Sequence, residues 1–191
     1  MTRTNLAGMS DQDIKKGKKA KPKGGKRPAT AGEELRALIL KIVYVLLAFF
    51  IVFTFIFGIH RNLSAGMQPS IRDGDLLFYY RLDKRYRANN IVVFKYKDEL
   101  IASRVIAVEG DTVNITEEGL EINGHLVSEP EIYFRTAQFK GGPEFPLTVE
   151  KDTVFVLGDN REHANDSRII GLIDKKDIKG KVMGLIRRRN L

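Results

Sequence analysis

Leu120-Glu121-Ile122-Asn123-Gly124-His125-Leu126-Val127 reads as a strand, a two-residue turn and a returning strand. Asn-Gly tolerates the positive φ values that a type I′ turn asks of both its central residues, and that turn matches the twist of the flanking strands. Outward from this hairpin the same pattern repeats. Residues 76–80, 91–96, 101–108, 112–116, 149–157 and 181–186 are rich in β-branched and aromatic side chains and are bounded by turn residues. No helical period of useful length follows residue 60. Residues 61–191 are therefore expected to form one all-β domain. Residues 128–146, with three prolines and Gly141-Gly142, are expected as a long excursion between strands.

Towards the N-terminus the pattern changes. Ile42-Val43-Tyr44-Val45-Leu46-Leu47-Ala48-Phe49-Phe50-Ile51-Val52-Phe53-Thr54-Phe55-Ile56-Phe57-Gly58-Ile59 carries no charge. As a helix it spans about 27 Å, close to the ~30 Å hydrocarbon core of a bilayer. A single transmembrane helix over 36–60 is expected, with Lys41 reaching back to the interface. The first alternative is a buried soluble helix, but one apolar on every side needs more protein around it than residues 61–191 supply. The second is a cleaved secretory signal ending at Leu63-Ser64-Ala65, but both the basic region and the apolar run are too long for one.

Charge fixes the orientation. The 191-residue chain carries a formal +8, yet residues 1–60 hold eleven Lys or Arg against four Asp or Glu, while residues 61–191 are nearly balanced. Cations precede the apolar run and are sparse after it, so the N-terminus is expected in the cytoplasm, with the C-terminal domain extracytoplasmic. Between Lys15 and Arg27 eight cations alternate with Gly and Pro and with no large apolar residue. Residues 1–35 are accordingly expected as a disordered basic tail in contact with membrane lipid. An RNA-binding tail is the alternative, but no aromatic side chain is interleaved for base stacking, and no nucleic-acid partner is expected. The absence of cysteine excludes disulfides, thiol nucleophiles and thiolate metal sites. His60, His125 and His163 are scattered, so neither a metal site nor a cofactor is expected.

Three ordered segments carry a family likeness. Ser64-Ala65-Gly66-Met67-Gln68-Pro69-Ser70-Ile71, with Gly74-Asp75 behind it, resembles the Ser-Met-x-Pro-Thr-Leu box of the type I signal peptidases (family S26). Those enzymes are membrane-anchored serine endopeptidases that remove signal peptides. Ser103-Arg104-Val105-Ile106-Ala107-Val108-Glu109-Gly110-Asp111 resembles their Lys-Arg-Val-Ile-Gly-x-x-Gly-Asp box. Gly158-Asp159-Asn160-Arg161-Glu162-His163-Ala164-Asn165-Asp166-Ser167-Arg168 resembles their Gly-Asp-Asn-Arg-x-x-Ser-x-Asp-Ser-Arg box. Any one box is weak evidence, but three in order and spacing behind one apolar run are not. The resemblance covers roughly residues 36–186 and implies an antiparallel β domain on a single N-terminal transmembrane helix.

The resemblance also implies a serine nucleophile and a buried neutral lysine as its base, since an amine must be desolvated to accept a proton near pH 7. Here the nucleophile position holds Gly66, the lysine position Ser103, and the position of the serine that orients the lysine Ala164. No catalytic residue is intact. Losing a serine-protease nucleophile alone costs on the order of a millionfold in turnover. Relocation remains the alternative: Ser103 attacking with His163 as base is chemically conceivable. Ser64 lies at a position that, by resemblance, lines the oxyanion hole rather than attacks. Ser64, Gly66, Met67 and Pro69 are the candidate groove or oxyanion-hole residues. Asp75, Arg104, Asp159, Asp166 and Arg168 are the candidate scaffold, in which each Gly-Asp pair forms a turn whose carboxylate bonds the following amides.

The expected function is that of a membrane-anchored, catalytically inactive signal peptidase I-like protein that binds an extended polypeptide. That polypeptide would be a signal peptide, a pilin or another exported protein, and the setting protein secretion or, by analogy alone, pilus assembly. The alternative is an active signal peptidase using relocated residues and cleaving after small side chains. A purely structural membrane-tethered domain is the third class.

Overall fold

The computed structural model describes residues 30–187. The run of cations between Lys15 and Arg27, and with it nearly all of the tail expected as disordered, lies outside them. The chain divides into two compact units between Ile42 and Val43.

The first unit holds the opening turns of helix α1 (Ala31–Phe55). Thr30 sets its start. The Thr30 carbonyl accepts from the amides of Glu33 and Glu34, while the Glu33 carboxylate accepts from the Thr30 amide at 3.0 Å, half of a capping box. Both glutamates sit where the helix dipole favours negative charge. None of the 25 residues of α1 is buried. At about 1.5 Å per residue the helix is long enough to cross a hydrocarbon core, and it is a candidate membrane span.

The helix differs at both ends from the expected 36–60. The helix begins at Ala31 because the cap lies at Thr30, and it ends at Phe55 because the next residues are captured by a sheet. Ile56 donates the last helical bond, to Val52, and its carbonyl already accepts from the Arg81 amide. Hydropathy alone does not separate a span from an apolar strand that continues it.

Among the described residues, the second unit carries the rest of α1 and eleven strands. They are β1 (Phe57–Arg61), β2 (Leu76–Tyr80), β3 (Ile91–Tyr96), β4 (Glu99–Val108), β5 (Thr112–Ile115), β6 (Leu120–Ile122), β7 (His125–Leu126), β8 (Leu147–Thr148), β9 (Thr153–Leu157), β10 (Ile173–Asp174) and β11 (Ile178–Ile186). One four-residue helix, α2 (Ser167–Ile170), precedes β10. Every pairing is antiparallel. The large sheet runs β1-β2-β11-β3-β4-β9-β10 and the small one β7-β6-β5-β8.

The hairpin that opened the sequence reading forms as expected. Asn123 and Gly124 have φ of 53° and 80°, and Ile122 faces His125 across the turn. The segment expected as one strand over 149–157 does not hold together. The amide and the hydroxyl of Thr153 both donate to the Glu150 carbonyl, at 3.2 and 2.8 Å, and this turn delays β9 to Thr153.

Three apolar clusters make the core. Val92, Phe94, Val105, Val154 and Val156 fill one face of the large sheet. Ala107, Phe155 and Leu157 meet Val113, Ile115 and Leu120 of the small sheet. Met67 and Ile71 plug onto Leu77, Tyr79 and Val93. Rings of Phe49, Phe53, Phe57 and Tyr80 follow one another at centroid spacings of 4.2, 5.8 and 5.5 Å, from the end of α1 into β1 and β2.

One detail of register positions the site. β4 pairs with β3 from Glu99 to Arg104 and with β9 only from Arg104 onward. Among the described residues, therefore, β4 has a strand on one side alone between Glu99 and Ser103.

Candidate functional site

Two loops meet beside that free edge. The first, between β1 and β2, is closed by Asn62 and Asp75, both 2% exposed. Asn62 Nδ2 donates to the carbonyls of Ser64 and Arg72, and its backbone exchanges bonds with Gly74 and Asp75. Asp75 accepts from the Arg72 amide at 2.9 Å. With Met67 and Ile71 buried beneath, this loop holds Ser64 and Gly66 in place.

The second loop, between β9 and α2, is held by ion pairs whose loop residues, Asp159, Arg161, Asp166 and Arg168, are buried. Asp166 is fully buried. It caps α2 by accepting from the Arg168 amide, accepts from the Gly158 amide at 3.0 Å, and takes both Nε and Nη2 of Arg168 at 2.9 Å. Arg168 also donates to the Arg161 carbonyl at 2.7 Å. Arg161 in turn donates to both carboxylate oxygens of Glu129, at 2.9 and 2.6 Å, and to Thr136 Oγ1. Asp159 takes Arg104 Nε and Nη2 at 2.8 and 2.6 Å. That hydrogen-bonded pairing raises the Arg104 pKa against the opposing effect of burial. Removing one partner from such a pair leaves an uncompensated buried charge.

Contact between the loops is close. The Asn160 amide donates to the Gly66 carbonyl at 3.0 Å. A Cβ on Gly158 would stand 2.2 Å from Ala164 Cβ and 2.4 Å from the Gly66 carbonyl oxygen, so only glycine lets the loops approach this far. This corrects the reading of Gly158-Asp159 as a turn like the other two. Gly74 and Gly110 do have positive φ, but Gly158 does not. The carboxylates differ from expectation as well. Asp75 and Asp111 bond amides three residues behind them, and Asp159 bonds a guanidinium.

Gly66, Ser103 and Ala164 line one cleft of about 320 Å³, together with Ser64 and the free stretch of β4. Leu63, Leu100, Ile101 and Ala102 give it apolar walls, with His60, Glu99 and Asn165 at its polar positions. The sequence reading thus placed Ser64, Gly66, Ser103 and Ala164 in one site. Two of its groove candidates lie elsewhere: Met67 is 1% exposed inside the core, and Pro69 is exposed and not part of the cleft lining.

The pairing weighed between Ser103 and His163 is not formed. Ser103 is buried at the cleft floor, whereas His163 is exposed, with Nδ1 3.3 Å from Asn160 Oδ1. The imidazole that does line the cleft is His60, on β1, and burial lowers its pKa from the usual 6.5, so it is uncharged at neutral pH. Sequence reasoning counted His60 as the last residue of the apolar span and missed it. The alternation of Phe57-Gly58-Ile59-His60-Arg61 was the available signal, since polar residues reappear there at strand spacing.

The polar chemistry is modest. The Gly66 amide donates to Ser64 Oγ at 3.0 Å, which leaves the Ser64 proton free to donate to a carbonyl in the cleft. Alternate backbone groups of Glu99–Ser103 face away from β3 and have no partner strand among the described residues, so an extended chain can pair with them.

The family model described as "Signal peptidase, peptidase S26" matches residues 35–186. Signal peptidase I of Bacillus licheniformis is 31% identical over 160 residues, covering 78% of this chain and 84% of that protein. Signal peptidase IB of Staphylococcus aureus is 31% identical over 168 residues, covering 78% and 88%. Among solved structures, a signal peptidase I from Enterococcus faecalis is 27% identical, with a TM-score of 0.43, and covers 51% of this chain and 96% of that one.

Proposed function

We propose, from the premise that this chain belongs to the signal peptidase S26 family, that it holds an extended polypeptide in its cleft without cutting it. Its place is the cell membrane, crossed once by α1, with the N-terminus in the cytoplasm and the β domain outside. The polypeptide is a signal peptide, a pilin or another exported protein.

One observation carries the reading. The unpartnered edge of β4, from Glu99 to Ser103, runs along the same cleft in which Gly66, Ser103 and Ala164 meet. A peptide laid there gains main-chain bonds as an added strand and side-chain contacts from the apolar walls. At the three positions where the family motif carries nucleophile, base and orienting hydroxyl, the chain offers a hydrogen, a hydroxyl and a methyl group. Glycine cannot attack, and no amine is present at residue 103 to take a proton.

A second reading has its own support, because Ser64 and Ser103 share the cleft with the neutral imidazole of His60. A serine with a histidine base is a workable nucleophilic pair. Incubating the detergent-solubilised protein with a preprotein separates the readings. Holding without cutting predicts no processing and a measurable complex. Processing that disappears with Ser103→Ala, Ser64→Ala or His60→Ala establishes the second reading.

Writing the family residues back, as Gly66→Ser with Ser103→Lys, is the converse test, and recovered cleavage shows that the groove still presents a peptide bond correctly. A Cβ at residue 66 would stand 3.2 Å from Ala164 Cα and 3.3 Å from Ser64 Oγ, so a shift of a few tenths of an ångström must accompany the change. Recovery is therefore expected to be partial.

A further inference from the structure

We propose that a second groove, apart from the cleft, binds a polypeptide segment in which a lysine or arginine stands beside an apolar side chain. The inference does not depend on what the cleft does.

The groove, of about 460 Å³, is bordered by β4, by the ends of β6 and of the hairpin it forms with β7, and by residues 128–132. It shares no lining residue with the cleft. Ile106 and Ile122 pack against the core cluster that joins the two sheets, and with Val127, Pro130 and Ile132 they make the lining largely apolar. Leu126, Tyr133 and Phe134, next to these residues in the chain, are exposed as well. Exposed apolar surface gathered around a groove marks an interaction site.

The groove is held in shape from behind. Glu129, which belongs to its lining, accepts from the buried Arg161 at 2.9 and 2.6 Å, and Asp159 holds Arg104. Farther along the excursion, Gln138 Nε2 donates to the Ile115 carbonyl at 2.6 Å. Residues 128–132 are thus tied to the ion-pair framework, and binding has little left to order.

Charge selects the occupant. Residues 105–134 contain seven Asp or Glu and no Lys or Arg, whereas the rest of residues 61–191 has an excess of cations. Within the lining, Asp159 is matched by Arg104 and Glu129 by Arg161. Glu131 is exposed and enters no ion pair among the described residues. Its carboxylate is near enough to help Arg104 keep its proton. A lipid phosphate is repelled by such a face, and a bare cation gains nothing from the apolar lining. A lysine or arginine beside an apolar residue satisfies both demands. Asn89 and Ser128 add uncharged hydrogen-bonding side chains that suit a main chain.

The test uses the full-length protein in non-ionic detergent micelles and fluorescein-labelled dodecapeptides of glycine and serine with lysine-leucine-lysine at the centre. Control peptides carry glutamate-leucine-glutamate or lysine-serine-lysine there. Anisotropy, with empty micelles as the baseline, is expected to show the lysine-leucine-lysine peptide binding at least about tenfold more tightly than either control. Methyl resonances of Ile106, Ile122, Val127 and Ile132 should shift in the same titration. Glu131→Lys should cancel the preference for lysine over glutamate.

Equal binding of either control overturns the inference, and so does the absence of binding. Binding that shifts the methyl resonances of Leu63 and Leu100 while those of the groove stay in place also overturns it and leaves the peptide-holding reading of the cleft standing. The comparison of peptides on the natural protein decides the matter even where Glu131→Lys does not fold.

Discussion

Ser103 and Arg104 are neighbours on β4, and they stand in two different parts of the molecule. Arg104 belongs to a framework of ion pairs: its guanidinium is fixed bidentately on Asp159, in the loop that also carries Asp166, paired with Arg168, and Arg161, paired with Glu129. Ser103 faces the cleft, where the residues that the family motif uses for chemistry are replaced. The difference teaches that holding the loops together and performing a reaction on them are separate demands. Asp159, Arg161, Asp166 and Arg168 are buried charges, and losing the partner of any of them leaves it uncompensated. Cleft residues border open space, where a smaller side chain strands nothing.

Mutation can break that contrast or sharpen it. The largest effect is expected for Asp166→Ala, which removes the cap of α2, the acceptor for the Gly158 amide and the counter-charge of buried Arg168. A loss of about 3–5 kcal/mol is expected, read from urea unfolding followed by circular dichroism. Next comes Gly158→Ala, whose added methyl collides with Ala164 and the Gly66 carbonyl. Overpacking of this kind costs about 1–3 kcal/mol, and the thermal midpoint should fall accordingly. On the cleft side, Ser103→Ala should change stability by no more than about 1 kcal/mol. A loss from Ser103→Ala as large as that from Asp166→Ala would erase the distinction.

The smallest effect is a pH dependence from His60. Its imidazole holds a proton less tightly in the folded chain than in the unfolded one. The unfolded chain therefore binds more protons, and stability falls as pH drops from the ordinary value of 6.5 towards the lower folded value. Thermal melts from pH 7.5 to 5 should show this decline, reduced in His60→Leu. A midpoint that rises on acidification in the natural protein but not in the variant would reverse the sign.

Much of this was legible in the sequence. The strand at 91–96 and the Asn123-Gly124 turn follow from local preference, because β-branched runs and positive φ are decided by a few adjacent residues. The convergence of Ser64, Gly66, Ser103 and Ala164 was legible only through the three boxes, since no local rule connects segments so distant in the chain. What stayed hidden was set by tertiary partners. Phe57 to Arg61 became a strand because β2 pairs with it, and Met67 became core because Tyr79 and Val93 lie beneath it. His60 entered the site as a consequence of the first of these. The role of Gly158 was equally invisible, for it depends on where Ala164 stands and not on its own backbone angles.

Ile56 is the single residue between α1 and β1. Under the proposed topology this junction acts as a short tether. His60 follows Phe55 by five residues, which even fully extended reach only about 17 Å. Under that topology the cleft would be confined to a thin layer above the bilayer surface, and a passing chain would meet it only in the few residues that have just left the membrane. Selection by position would then precede selection by side chain, and lengthening the junction with a few glycines would change which segment is held while leaving the cleft itself untouched.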